Sequence, residues 1–307
     1  NNLGVAYSDL PTGDRGENLG RAIAAYEAAL EVYTRDAHPV DWAGTQNNLG
    51  NTYRDLPTGD WGENLGRAIA AYEAALQVRT RDAHPVDWAG TQNNLGNAYS
   101  DLPTGDRGEN LGRAIAAYEA ALKVYTRDAH PVQWATTQNN LGIAYCQLPT
   151  GDRSENLGRA IAAYEAALQV RTRDEHPVDW AMTQNNLGNA YRDLPTGDRG
   201  ENLRRAIAAY EAALEVRTRD AHPAQWATTQ NNLGIALAYL AEIPGEDRCG
   251  RLRESIACSK AALKVYTPEA FPREHRGTTH NLEIYRRAYE AGGCGDAVAF
   301  DEIAPAE

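Results

Sequence analysis

Along residues 39–56 the apolar side chains Trp42, Leu49, Tyr53 and Leu56 fall seven, four and three positions apart, which places them on one face of a helix. Pro39 suits the first helical turn, where its missing N–H costs nothing, and Asp41 favours that positive end. Pro57 stops the helix, and the following "TGD" supplies turn residues. A second helical pattern follows in Leu65, Ile69, Tyr72 and Leu76 and runs on through Val78 to the next His-Pro. Its "RAIAAYEAAL" core combines high helix propensity with small residues that permit close packing. The pattern then repeats. Leu3, Leu49, Leu95, Leu141, Leu187 and Leu233 are 46 residues apart, as are Trp42, Trp88, Trp134, Trp180 and Trp226. Each unit therefore predicts a helical hairpin whose apolar faces need neighbours on both sides. Trp, Leu and Tyr are expected to bury between units.

Leu49-Gly50 with Tyr53, followed by Ala68, Tyr72, Ala75 and Leu76, resembles the tetratricopeptide repeat. The match spans five units and a degenerate sixth, and its motifs are specific. The unit is longer than the usual repeat of about 34 residues. The extra residues fall in the turn between the helices and where the second helix meets the next unit. "HPVDWAGTQNNLG" also resembles the long repeats of kinesin light chains. The longer stretch "GDRGENLGRAIAAYEAALEVYTRDAHPVDWAGTQNNLGNAY" is most similar to bacterial arrays that precede a caspase-like CHAT protease domain. The resemblance implies an all-α, right-handed α-solenoid of stacked antiparallel helix pairs, a superhelix with a concave groove.

Towards the C-terminus the pattern decays. Leu237 replaces the tyrosine, "AEIPGEDRCGRLRE" lengthens the turn, and Ser255 and Ser259 replace the matching Ala and Tyr. "HRGTTHNLEIYRRAYEA" repeats the first helix with His275 for the tryptophan and Glu283 for the glycine. Its polar Arg286, Arg287 and Glu290 suit a capping helix that faces water. The expected organisation is a repeat array over residues 1–291 and a flexible tail or linker over 292–307. Because the chain starts inside a repeat at "NNLG", an upstream segment is expected.

A hydrophobic content of 42% separates the chain from disordered sequences, and a net charge of −12 disfavours nucleic acid and anionic membranes as partners. No apolar run approaches the roughly 18 residues of a membrane helix. Cys146, Cys249, Cys258 and Cys294 fall at irregular spacings outside the repeat. They are expected to be free thiols in a reducing cytoplasm.

Little in the pattern suggests chemistry. His38, His84, His130, His176 and His222 occur once per unit before a proline, too far apart to share a metal. Asp55, Asp60 and Glu63 surround a turn without EF-hand spacing and fit helix stops and N-terminal charges. "PTGDRG" lacks the Gly-Lys-Ser/Thr of a phosphate loop. Nothing orients Cys258 with His280 as a catalytic pair. No catalytic residue, metal or cofactor is expected, and the segment is not expected to be an enzyme.

Function then rests on surfaces. At 100° per residue, Asn47, Asn51 and Arg54 lie opposite the Leu49–Tyr53 face. In the resembled family this side lines the groove for extended peptides. The resemblance implies a row of Asn47, Asn93, Asn139, Asn185 and Asn231 able to hold a peptide backbone. An alternative is an Asn ladder between neighbouring first helices that fixes their register. Asparagine is a poor helix former, so either role must compensate for the choice. Other groove positions vary between units: Asn51, Asn97, Ile143, Asn189 and Ile235 at one, Arg54 and Arg192 at another, and Met182 at a third. The apolar Ile143, Met182 and Ile235 suggest a contact site. The expected function is a protein-interaction scaffold that binds a partner protein or peptide segment. The alternatives are a regulatory arm of a caspase-like protease and self-association through repeat ends.

Overall fold

The computed structural model describes residues 1–295 and 297–306. They form fourteen α-helices with no strand among the described residues. The chain divides into two compact units, Asn1–Gly151 and Asp152–Glu307.

The first unit contains α1 (Asn2–Ser8), α2 (Arg15–Val32), α3 (Pro39–Asp55), α4 (Trp61–Leu76), α5 (Pro85–Asp101), α6 (Arg107–Ala121) and α7 (Pro131–Gln147). Short turns pair α1 with α2, α3 with α4 and α5 with α6, while α2, α4 and α6 pack on the first helix of the following pair. The second unit contains α8 (Arg153–Leu168), α9 (Pro177–Asp193), α10 (Arg199–Leu214), α11 (Pro223–Leu240), α12 (Arg248–Leu263), α13 (Pro272–Ala291) and α14 (Ala297–Glu302). Here α9 pairs with α10 and α11 with α12, and α13 lies against α12. Each unit is a stretch of α-solenoid.

The helix ends follow from local chemistry. Proline is the first residue of α3, α5, α7, α9 and α11. In the "LPTGD" turn Gly59 adopts a φ of 83°, a left-handed conformation that favours glycine. Asp60 then caps α4 by accepting from the Glu63 N–H at 2.8 Å. Asn64 reaches back to donate to the Thr58 carbonyl at 2.8 Å, closing the turn. Asp106, Glu109, Asn110 and Thr104 repeat this set.

Within a hairpin, the Leu-Gly pair sets the packing distance. A Cβ at Gly50 would stand 2.6 Å from Tyr72 Cε1, and one at Gly96 the same distance from Tyr118. Without it each tyrosine ring lies against backbone, and Tyr72 is fully buried beside Leu65, Ala68 and Ala75. Burial of each such side chain contributes about 1.5–3 kcal/mol. Leu49 and Tyr53 are also buried, as the spacing predicts.

The tryptophans depart from expectation. Trp42, Trp88, Trp134 and Trp180 are only half-buried, and Trp226 alone is buried. The residue sits in the first helical turn, at the edge of the stack. Trp88 and Trp134, for example, lie over Ala89, Ala121 and Tyr125 while remaining partly in water. Around Trp226, Phe271 and Ala306 complete the cover.

The C-terminal end also requires two corrections. Cys249 and Cys294 form a disulfide, whereas Cys146 and Cys258 are the thiols. The lengthened turn before α12 brings Cys249 beside the chain leaving α13, a proximity that the repeat spacing could not reveal. Residues 297–306, expected as a tail or linker, fold back on the array. Phe300 and Ile303 are buried against Leu252, Ile256, Tyr285 and Tyr289, and the Ala306 N–H donates to the Ala257 carbonyl. Asp296 and Glu307 of that expected tail lie outside the described residues.

Candidate interaction surface

Neighbouring first helices are joined by asparagine. Asn47 Oδ1 accepts from Thr91 Oγ1 at 3.1 Å and from Asn94 Nδ2 at 3.4 Å. Asn93 accepts from Thr137 at 3.1 Å. In the second unit Asn185 accepts from Thr229 and Asn232 at 3.2 and 3.3 Å, and Asn231 from Thr278 at 3.1 Å. Thr91, Thr137 and Thr229 each have one hydroxyl proton, shared with the carbonyl one turn earlier, such as Asp87 O for Thr91. These contacts have the geometry of the register ladder. They use the amide oxygen, and the Nδ2 donors of Asn47 and Asn93 meet no acceptor among the described residues. Asn139 is buried at 1% exposure.

The next predicted row joins the two helices of one hairpin. Asn51, Asn97 and Asn189 accept from the hydroxyls of Tyr72, Tyr118 and Tyr210, each at 2.8 Å. Burial raises the pKa of all three tyrosines, so the phenols stay protonated and donate. Asn97 also accepts from Asn140 Nδ2 at 3.0 Å.

Arg54, Asn97 and Ile143 come together in the first unit around a cavity of about 330 Å³, with Ser100, Asp101, Tyr118 and Asn140. Asn51 and Arg54 share a second cavity of about 310 Å³ with residues including Val5, Ser8 and Asn48. Arg54 thus stands between the two. Burial opposes its charge, but Tyr72, Asp55 and Asp101 raise its pKa overall, and its Nε donates to Asp55 at 3.0 Å. Desolvation raises the pKa of Asp101, against the pull of Arg54 and Arg107. The surface is therefore polar and carries both charges. Ile143 is half-buried at its wall. In the second unit Met182, Ile235 and Arg192 are also half-buried, and Arg192 pairs with Asp193 at 2.8 Å.

Sequence reasoning missed a further row. Arg79, Arg171 and Arg217 follow the second helices and donate to Thr91, Thr183 and Thr229, each at 3.0 Å. Burial lowers the pKa of all three, opposed by Asp87 at Arg79 and by Asp179 at Arg171. In the fifth unit Gln225 replaces that aspartate. The available signal was the exchange of "VRT" for "VYT" between otherwise similar units.

The Cys258–His280 pair is not formed: Cys258 is buried and His280 exposed. Burial, with Glu254 and Glu211 adding to it, pushes the Cys258 thiol up to about 12. Among the described residues no three His, Cys, Asp or Glu side chains gather as metal ligands, and no helix is long and apolar enough to cross a membrane.

Hairpins of this kind, stacked through small residues and tyrosines, define a tetratricopeptide-like helix-pair repeat. Among solved structures the chain is similar in fold to BtubC (BKLC) from P. vanneervenii, with a TM-score of 0.58 and 24% identity over 80% of this chain and 90% of that one. No family model and no curated protein matches the sequence.

Proposed function

We propose that the chain is an interaction scaffold whose first-helix face holds an extended segment of a partner protein. The observation that carries this reading is the cavity in the first unit where Arg54, Asn97 and Ile143 meet. It combines an apolar wall, a guanidinium and neutral amides, suited to a peptide carrying an apolar side chain beside an acceptor. The outward Nδ2 groups of Asn47 and Asn93 add donors for backbone carbonyls, so an asparagine can serve register and ligand together. A displayed peptide library selected on the full chain tests the proposal. Selected peptides should lose binding to Ser100→Trp, which fills the cavity, while a variant on the opposite helix face binds normally. Unchanged binding by a folded Ser100→Trp protein would refute the site.

The 46-residue unit supports assignment to the long kinesin-light-chain-like or CHAT-associated type of repeat. On the second assignment the array is the sensor arm of a caspase-like protease. A coding sequence that continues into a Cys–His domain would support that reading, and its absence would remove it.

A further inference from the structure

The last junction of the array reverses a pattern kept at earlier ones. Tyr99 donates to Glu73 at 2.8 Å while the Arg113 guanidinium covers the Tyr99 ring at 5.5 Å. Tyr191, Glu165 and Arg205 repeat that trio. At the end of the second unit Lys260 stands in the glutamate's position and Arg286 in the tyrosine's. Two cations would face each other there. Instead the Phe300 ring lies 4.7 Å from Lys260 Nζ and 5.3 Å from Arg286 Cζ. Lys260 also donates to the carbonyls of Phe300 and Ile303 at 2.8 and 3.1 Å. The end of the array is thus built to receive residues 297–306.

The receiving surface has two walls, Lys260 and Ile256 from α12 and Arg286, Tyr285 and Tyr289 from α13. The Cys249–Cys294 bond ties the chain leaving α13 to the first turn of α12, across 45 residues of sequence. It therefore holds both the wall and the start of the segment that lies on it. Both cysteines are partly exposed, within reach of a reductant.

We propose that this disulfide is a redox-operated latch: oxidised, it keeps residues 297–306 seated across α12 and α13, and reduced, it releases them and uncovers the aromatic, basic end face. A dithiol supplies the electrons. One of its thiolates attacks a cysteine sulfur and breaks the S–S bond, and its second thiol resolves the mixed disulfide. The dithiol leaves as a disulfide, and Cys249 and Cys294 each end as a thiol.

Alkylation under denaturing conditions without reductant should modify two cysteines, and after a small dithiol all four. Hydrogen exchange on the full chain should then rise about tenfold across residues 285–306 on reduction, with α3–α6 unchanged. A Cys146→Ser/Cys258→Ser variant should respond identically, because it keeps the latch pair. Cys249→Ser should exchange like the reduced protein and ignore the dithiol. Four reactive thiols without reductant, or equal exchange across 285–306 in both redox states of the wild-type chain, would overturn the latch.

Discussion

Gly96 and Gly112 show how differently one residue type acts within a single hairpin. A Cβ at Gly96 would overlap the buried Tyr118 ring, while one at Gly112 meets nothing within 4 Å. Gly96→Ala should therefore destabilise by about 1–3 kcal/mol, as overpacking does. Gly112→Ala, in the exposed interior of α6, should stabilise by about 0.5–1 kcal/mol. Denaturant midpoints of the two variants moving in the same direction would contradict this account. A second residue-scale prediction concerns Arg217, a residue only 9% exposed whose guanidinium has no carboxylate within 4.0 Å among the described residues. Gln225→Asp should restore the pairing seen between Arg79 and Asp87 at 3.9 Å and stabilise by about 0.5–1 kcal/mol. The gain needs an ionised carboxylate, so it should be present at neutral pH and disappear where aspartate is protonated. Melting temperatures of the variant and wild type at pH 7 and pH 3 check both points. No gain at pH 7, or an equal gain at pH 3, would reject the pairing.

At the scale of elements, the turns specify the hairpins through a few side chains. Asp106 accepts from Glu109 N–H, and Asn110 holds the Thr104 carbonyl. Asp106→Ala should cost about 0.5–2 kcal/mol, with early exchange confined to the first turn of α6. Intact protection there would show that the turn holds without its cap. These boundaries were legible because Pro39, Pro57 and the Gly-Asp pair act through neighbours in sequence. The Tyr72 core position was legible too, since helical spacing fixes its face. The asparagine partners were harder. Asn47 meets Thr91 and Asn94, one repeat away, partners that only the packing of the helices reveals. The disulfide was illegible for a related reason, because Cys249 and Cys294 lie where the repeat has broken down. The tryptophans misled because periodicity gives the face of a helix and not how far its end projects from the stack.

On the scale of the whole molecule, stability in an array should be local, because each hairpin touches its neighbours in sequence. The contacts in Asn1–Gly151 follow this rule: α4 packs on α3 and α5, and α6 on α5 and α7. The rungs from Asn47 to Thr91 and from Asn93 to Thr137 each span a single interval between first helices. Nothing in such a network shares strain equally among all repeats. The Tyr118 ring displaced by a methyl at residue 96 should push on α5 and α6 first. From there the disturbance should pass to α4 and α7 through shared side chains and weaken with each further helix. Hydrogen exchange of Gly96→Ala should show the largest loss of protection in α5 and α6, a smaller one in α4 and α7, and native protection in α10–α12. A globular domain with one core would lose protection throughout, by the same free energy at every slowly exchanging amide. A uniform loss reaching Leu252 and Ile256 would therefore mean that the units melt as one body, and the description of this chain as a nearest-neighbour array would have to be abandoned.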